Sequence, residues 1–153
     1  MMSANSSPVF PSPFRSYIPP HEKVYGTICI SPDNKILVVR GRSSGKWSFP
    51  KGHLKSKSNE RAFDCALREL YEETGIFIDA KSLNPCALSS KRLRVGEYFI
   101  LDLEQEIMPL PRDQREISEA RWVNEEQLKE FLVDDRANID VRSFVTKMLA
   151  ERV

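Results

Sequence analysis

The chain has 153 residues, of which 41% are hydrophobic, and 23 Lys and Arg residues nearly balance 22 Asp and Glu residues to give a net charge of +1. This length suits one globular domain, and no continuous apolar run reaches the roughly 18 residues of a membrane span, so no membrane partner is expected. A near-neutral chain has no general attraction for nucleic acid, so any affinity for polyanions depends on local basic clusters.

The order of predicted elements indicates an α/β protein. Residues 1–20 are rich in proline and serine, which predicts a flexible N-terminal arm before a folded domain over residues 21–153. Strands are predicted at about 23–31, 35–41, 47–49, 97–104 and 119–123. Helices are predicted at about 59–74, 124–132 and 139–151. Pro32-Asp33-Asn34 is expected to turn the first hairpin, and the elements together predict a mixed β-sheet between helices.

The helix predicted at 59–74 has one apolar face. Its apolar residues recur at helical spacing at Phe63, Ala66, Leu67 and Leu70. Asn59 or Ser58 is a plausible N-cap, and Gly75 can adopt the left-handed conformation that ends a helix. We therefore expect a buried helix that ends at residue 74.

The same helix carries a group of three carboxylates. Residues three and four apart are neighbours on a helix, so Glu69, Glu72 and Glu73 should gather on one side, away from the apolar face. Three such carboxylates repel one another unless a cation lies among them, and Mg²⁺ or Mn²⁺ prefers oxygen ligands. Arg68 could hold Glu72 in place as an i, i+4 partner. The alternative is a solvated acidic helix face.

The segment upstream, WSFPKGH from Trp47 to His53, favours a phosphate site over a solvated face. It predicts a strand end followed by a tight loop at Pro50, Lys51 and Gly52. Such a loop would bring a backbone carbonyl and a cation next to the acidic face, where a phosphate chain would lie. Loop and helix together predict one phosphate-binding unit.

Loop and helix resemble the signature of the Nudix hydrolases. The matching residues are Gly52, Glu60, Arg68, Glu69, Leu70, Glu72, Glu73, Gly75 and Ile76. Seven residues, instead of the family's five, separate Gly52 from Glu60, which is a two-residue insertion. The resemblance implies a Nudix-type α/β/α sandwich over residues 21–151. It also implies that Gly52, Glu69, Glu72 and Glu73 bind Mg²⁺ or Mn²⁺.

Within the family, FPKGH followed by FDCALRELYEETGI is most similar to the mRNA-decapping members. Diphosphoinositol polyphosphate and diadenosine polyphosphate hydrolases share a PKG loop but tend to continue with a second glycine, where this chain has His53. The segment from Glu116 to Trp122 also resembles the one that precedes the last strand of decapping enzymes. That likeness implies that Glu116 is a catalytic base or an additional metal ligand.

Other glutamates compete with Glu116 for the role of base. Glu116 itself could be a surface residue beside an alternating strand, and Glu119 is its nearest competitor. Glu125 and Glu126 are better explained as first-turn residues of a helix capped by Asn124.

The resemblance implies hydrolysis of a phosphoanhydride, with Glu72, Glu73 and Glu116 as the catalytic carboxylates. Lys51, and either Arg40 or Arg42, would offset the charge of the phosphate oxygens, although the two arginines could simply be solvated. The favoured substrate is capped mRNA, cut to methylated guanosine diphosphate and 5′-monophosphate RNA. The alternatives are a diphosphoinositol or dinucleoside polyphosphate, or a catalytically silent module that binds a nucleotide or a protein.

Charge distribution and cysteine usage bear on partners and compartment. Residues 40–57 contain six Lys and Arg residues and no acid, and Lys91, Arg92 and Arg94 form a second basic cluster. The two clusters could attract a polyanion such as RNA or an inositol polyphosphate, and charge alone does not choose between these two. The resemblance implies that capped RNA or another polyphosphate is the partner, and DNA is not expected. Cys29, Cys65 and Cys86 fit neither a paired disulfide set nor a metal motif. A cytoplasmic site of action follows as the expectation, the alternative being a protein secreted into a host cell whose signal peptide is absent from this sequence. Nothing in the sequence indicates the oligomeric state.

Overall fold

A computed structural model describes residues 23–55, 59–84 and 87–151. The predicted arm at residues 1–20, the possible cap Ser58 and Cys86 lie outside these ranges. The described strands are β1 Val24–Ile30, β2 Ile36–Gly41, β3 Trp47–Ser48, β4 Lys51–His53, β5 Ser90–Arg92, β6 Gly96–Asp102 and β7 Ile117–Val123. The described α-helices are α1 Ala62–Thr74, α2 Glu125–Val133 and α3 Ile139–Ala150, and a short 3₁₀ helix spans Ala80–Ser82.

The strands form one mixed sheet. Its main order is β3-β2-β1-β6-β5, while β4 also pairs with β1 and β7 also pairs with β2. β1 and β6 run parallel with Val24 opposite Gly96 and Ile30 opposite Asp102, and the other pairs of strands are antiparallel. The predicted first hairpin is present, with Asn34 in the left-handed region at φ 62°.

Helices cover both faces of this sheet, which confirms the α/β/α sandwich. Successive side chains of a strand point to opposite faces, so Leu37 of β2 packs in the cluster that contains Phe63 and Leu70 of α1. Its neighbour Val38 packs in the cluster that contains residues of α2 and α3. The apolar face predicted for α1 is buried as expected.

Two strands were missed by the sequence prediction, β4 and β5, and β4 matters for the site. The predicted tight loop at Lys51 and Gly52 is wrong, because these residues extend and pair with β1. The Pro50 carbonyl accepts a hydrogen bond from Thr27 N at 3.1 Å. A Cβ on Gly26 would lie 2.2 Å from that carbonyl oxygen, so a glycine in β1 permits the close approach.

The beginning of α1 also differs from the prediction, whereas its end agrees. The helix begins at Ala62 after an extended Arg61, so Asn59 is not its cap. The Arg61 N–H and Nε–H both donate to the Asp64 carboxylate, at 3.4 and 3.0 Å. At the other end Gly75 has φ 76° and its N–H donates to the Tyr71 carbonyl at 2.8 Å.

A buried carboxylate fixes α3 to the sheet. Asp140 is fully buried and accepts hydrogen bonds from Val95 N at 2.8 Å, Gly96 N at 2.9 Å and the Tyr98 hydroxyl at 2.6 Å. The burial and this negative charge both raise the pKa of Tyr98. Within the described ranges no helix combines the length and the apolar character needed to cross a membrane.

Candidate active site

The site begins where β4 packs against α1. The Lys51 N–H donates to a carboxylate oxygen of Glu73 at 3.2 Å. A Cβ on Gly52 would lie 2.0 Å from the carboxylate carbon of Glu69, so only glycine lets the strand lie this close without displacing that carboxylate. The two-residue insertion after Gly52 therefore leaves the contact between strand and helix in place.

The three motif carboxylates differ in burial, which corrects the prediction of one shared face away from the core. Glu69 is 8% exposed and Glu73 is 3% exposed, whereas the side chain of Glu72 is 40% exposed. Glu69 and Glu73 lie one turn apart on the side of α1 that β4 covers, in line with the buried Cys65. Glu72 lies at the edge of that contact and faces solvent.

Arg68 connects the carboxylates. Its guanidinium contacts Glu60 at 2.7 and 3.0 Å, Glu69 at 3.0 Å and Glu72 at 3.3 Å, and it also donates to the His53 carbonyl at 3.1 Å. The predicted pair of Arg68 with Glu72 is thus present. The contact with Glu60 raises the pKa of Arg68, and the same contact lowers the pKa of Glu60.

Burial makes two of the carboxylates hard to ionise. The pKa of Glu69 is raised to about 7, chiefly by loss of hydration and also by repulsion from Glu72 and Glu116, while Arg68 opposes the rise. Loss of hydration, followed by repulsion from Glu69, raises the pKa of Glu73 to about 8, and Lys51 opposes the rise. Such carboxylates favour a proton or a compensating cation.

Glu116 reaches the site because the chain before it is attached to the last turn of α1. The Leu110 N–H donates to the Thr74 carbonyl at 2.7 Å, and Arg112 N and Asp113 N donate to the Glu72 carbonyl at 3.0 and 2.9 Å. These bonds use carbonyls that a helix end leaves without internal partners. Arg42 N then donates to the Glu116 carbonyl at 2.8 Å, which fixes the end of the segment.

The competing glutamates lie in other surroundings. Glu119 forms an ion pair with Arg121. Glu125 and Glu126 occupy the first turn of α2 behind the Asn124 cap, as predicted. Glu116, by contrast, is exposed and close enough to raise the pKa of Glu69 and Glu73 by repulsion.

An open cleft of about 690 Å³ brings several predicted residues together. Lys51, Glu73 and Glu116 line it. Lys46, from the predicted basic segment at residues 40–57, also lines it, and further lining residues that the sequence did not indicate are Asp113, Arg115 and Asn138. Asp113 and Arg115 could be recognised only from the tertiary structure, because their place depends on the bonds to the Glu72 carbonyl.

The other predicted residues lie around the cleft or away from it. Glu72 and Arg42 line an adjoining groove of about 660 Å³. Arg40 lines a separate pocket of about 180 Å³ with Trp47 and Arg121. Arg40 and Trp47 are opposite each other in neighbouring strands, and this face of the sheet is the one that α2 covers. The structure therefore places Arg40 away from the carboxylates and Arg42 beside them.

The carboxylates fit a divalent cation by their chemistry but are not arranged as a finished ligand set. Within residues 23–55, 59–84 and 87–151, no three Asp, Glu, His or Cys side chains form a ready metal cage. Glu69 and Glu72 point to Arg68 instead. Carboxylate oxygens are nevertheless the ligands that Mg²⁺ and Mn²⁺ prefer, and a cation would offset the cost of ionising Glu69 and Glu73.

Comparison with known proteins shows the family of the chain. The family model of the NUDIX domain matches residues 20–146. The chain is 35% identical over 99 residues to "mRNA decapping complex subunit 2" of Schizosaccharomyces pombe, which covers 63% of the chain and 13% of that protein. It is 30% identical over 129 residues to an NAD-capped RNA hydrolase of Caenorhabditis elegans, which covers 81% of the chain and 34% of that protein. The chain thus spans a minor part of the length of these two relatives.

A solved structure supports the fold. The bifunctional NMN adenylyltransferase/ADP ribose pyrophosphatase of Francisella tularensis, in complex with AMP and a manganese ion, superimposes with a TM-score of 0.64 at 21% identity. The match covers 86% of this chain and 42% of that one. Because the NUDIX model matches residues 20–146, which is most of the sequence, the chain belongs to the Nudix family.

Proposed function

We propose that this Nudix protein is an Mg²⁺- or Mn²⁺-dependent hydrolase that removes the 5′ cap of mRNA. The products are methylated guanosine diphosphate and RNA with a 5′-monophosphate. The observation that carries the proposal is the convergence of Glu73, Glu116 and Lys51 in one cleft, with Glu69 and Glu72 beside it. The cytoplasm is the proposed site of action.

Each side chain of the site has a role that its surroundings support. Glu69, Glu72 and Glu73 would hold the metal ion, which when bound polarises the phosphoanhydride and lowers the pKa of water. Glu116 is exposed at the cleft and would accept the proton of the attacking water. The Lys51 ammonium would neutralise nonbridging phosphate oxygens. Arg68 orients Glu69 and Glu72 through its charged hydrogen bonds.

The choice of a cap as substrate rests on sequence similarity. The decapping subunit of Schizosaccharomyces pombe supports a methylated guanosine cap. The NAD-capped RNA hydrolase of Caenorhabditis elegans matches a longer part of the chain and makes an NAD cap the second candidate. Both caps contain a phosphoanhydride joined to the 5′ end of RNA, so the same cleft chemistry serves either one.

The test is a hydrolysis panel with purified protein and Mg²⁺ or Mn²⁺. The substrates are cap-labelled RNA, NAD-capped RNA, a diphosphoinositol polyphosphate and a dinucleoside polyphosphate. Glu72→Gln should abolish turnover because it removes a carboxylate and its charge. Glu126→Gln is the matched control, since Glu126 lies exposed on α2.

Release of methylated guanosine diphosphate by the wild type and by the control, but not by Glu72→Gln, would support decapping. Rapid turnover of the diphosphoinositol or of the dinucleoside polyphosphate, with both capped RNAs intact, would refute it. No turnover of any substrate would favour the catalytically silent alternative.

A further inference from the structure

A groove beside the cleft carries three arginines that the proposed chemistry does not use. Arg42, Arg112 and Arg115 line this groove together with Glu72. Asp113 and Arg115 also line the catalytic cleft, so the groove and the cleft are continuous. We propose that this groove, the arginine groove, binds the phosphodiester backbone of the RNA chain that follows the cap. The proposal rests on the proposed function.

The charges of these arginines are available to a ligand. Within the described part of the chain, neither Arg42, Arg112 nor Arg115 forms an ion pair. Four other surface arginines do form ion pairs, namely Arg61, Arg121, Arg136 and Arg142, whereas, among the described residues, the exposed Arg40, Arg92 and Arg94 do not. What distinguishes the three groove arginines is that guanidinium groups without an ionic partner line one groove together, and the fork of donors of a guanidinium can bind a phosphate with two hydrogen bonds.

The groove is also fixed in position relative to the catalytic carboxylates. The backbone N–H of Arg112 donates to the carbonyl of Glu72, and the Arg42 guanidinium donates to the Gln114 carbonyl at 2.7 Å. The Arg112 guanidinium also lies over the Tyr71 ring, 5.3 Å from its centre. The guanidinium groups of Arg42 and Arg112 are therefore held in the groove that Glu72 lines before any ligand arrives, which lowers the entropic cost of binding.

The position of the arginines favours a long polyanion over a small one. Lys51 and Lys46 already line the cleft where the phosphate chain of a cap would lie. A ligand that reaches Arg112 as well must extend past Glu72 along the surface. A single-stranded RNA chain that leaves the cap does this, and it brings one phosphate per nucleotide into the groove.

The test compares wild type with Arg112→Gln, Arg115→Gln and the double variant. Their side chains are exposed, and the backbone bonds of the segment remain, so the fold should persist. Arg136→Gln is the matched control, because it removes one arginine from the face of the sheet that α2 covers. Arg112→Lys keeps the positive charge but removes the guanidinium that packs on the Tyr71 ring, so it separates the effect of charge from the effect of this packing.

We expect Arg112→Gln and the double variant to raise KM for a long capped RNA. Because Arg112 lines the groove but is not among the residues that line the catalytic cleft, Arg112→Gln should leave kcat, and KM for a capped dinucleotide, unchanged. The logarithm of the RNA affinity falls linearly with the logarithm of the salt concentration, and each phosphate contact with a single strand adds about 0.7 to the steepness of this salt slope. The loss of two contacts should therefore reduce the salt slope by about 1.4. Between 50 and 200 mM salt, the affinity of the wild type should therefore fall about sevenfold more than that of the double variant. Arg136→Gln should match the wild type, and Arg112→Lys should keep most of the slope.

Binding of uncapped single-stranded RNA, followed by fluorescence anisotropy, separates this proposal from the proposed function. Weaker binding and a smaller salt slope in the double variant support the arginine groove even if no cap is hydrolysed. An unchanged slope and affinity overturn the proposal, whether or not the protein removes caps. A rise in KM for the capped dinucleotide in Arg112→Gln that equals the rise for the long RNA also overturns it, because Arg112 would then hold the phosphate chain of a small substrate.

Discussion

Replacing Glu73 with glutamine should change how the stability of the metal-free protein depends on pH. Glu73 is 3% exposed, and its pKa is raised from an ordinary value of 4.5 to about 8. At pH values between 4.5 and about 8, the folded protein keeps a proton on Glu73 that the unfolded chain has released. The free energy of unfolding therefore falls as pH rises through this window, and the contribution is constant below and above it.

The size of this effect follows from the width of the window. While the folded protein retains one extra proton, its free energy of unfolding falls by about 1.4 kcal/mol for each unit of pH. The rise of the Glu73 pKa from 4.5 to about 8 therefore sets an upper limit of about 5 kcal/mol on the total loss. Glu73→Gln removes the titrating group but keeps an oxygen that can accept the Lys51 N–H. The free energy of unfolding should thus fall less steeply with pH in the variant than in the wild type, and the two slopes should differ by about 1.4 kcal/mol per pH unit.

The assay measures the free energy of unfolding by urea, in the presence of EDTA, at several pH values between 5 and 8. Glu126→Gln controls for the loss of an exposed carboxylate. A Mg²⁺ concentration of about 100 times the dissociation constant measured at pH 8 should stabilise the wild type by about 2.7 kcal/mol at that pH. The same Mg²⁺ concentration should give a smaller gain at pH 5, because the cation competes with the proton. Parallel plots of stability against pH for wild type and Glu73→Gln would refute the reasoning.

Three further changes test the site and the fold. Glu116→Gln should lower kcat at least about 10²-fold, because it removes the proposed acceptor of the water proton, and full activity at every pH tested would rule out its role as the base. Gly52→Ala should weaken Mg²⁺ binding, measured by calorimetry, with little change in melting temperature, because the new Cβ meets the movable end of Glu69; unaltered Mg²⁺ affinity would contradict this. Asp140→Ala should lower the free energy of unfolding by roughly 3 kcal/mol or more, since it leaves three donors without an acceptor, of which Gly96 N and the Tyr98 hydroxyl are buried. Asp140→Asn, which retains one acceptor oxygen, should lose less, and equal losses in urea unfolding would argue against the hydrogen bonds as the cause.

Local sequence signals predicted the parts of the site that depend on one element. Helical spacing placed the apolar face of α1, and the conformational freedom of Gly75 marked its end. The beginning of α1 was less predictable. Asn59 is a good capping residue, but the contact of Glu60 with Arg68 and the extended Arg61 set the first turn later.

Strand β4 shows why a motif alone did not give the local structure. The letters PKG resemble a turn, yet Lys51 and Gly52 extend because β1 offers hydrogen-bonding partners and Gly26 leaves room for the Pro50 carbonyl. No signal within the segment itself records that a distant strand has a glycine at the facing position. Pairing partners far apart in sequence decided this element.

The sequence by itself determined the α/β class, the helix with its three carboxylates and the likeness to the Nudix hydrolases, because these depend on residue types at fixed spacing. Only the tertiary structure decided that Glu69 and Glu73 are buried while Glu72 is exposed, since spacing fixes relative faces but not what covers them. It likewise placed Arg42 beside the carboxylates and Arg40 on the opposite face. These differences arise because packing and strand pairing join segments whose positions no local pattern can specify.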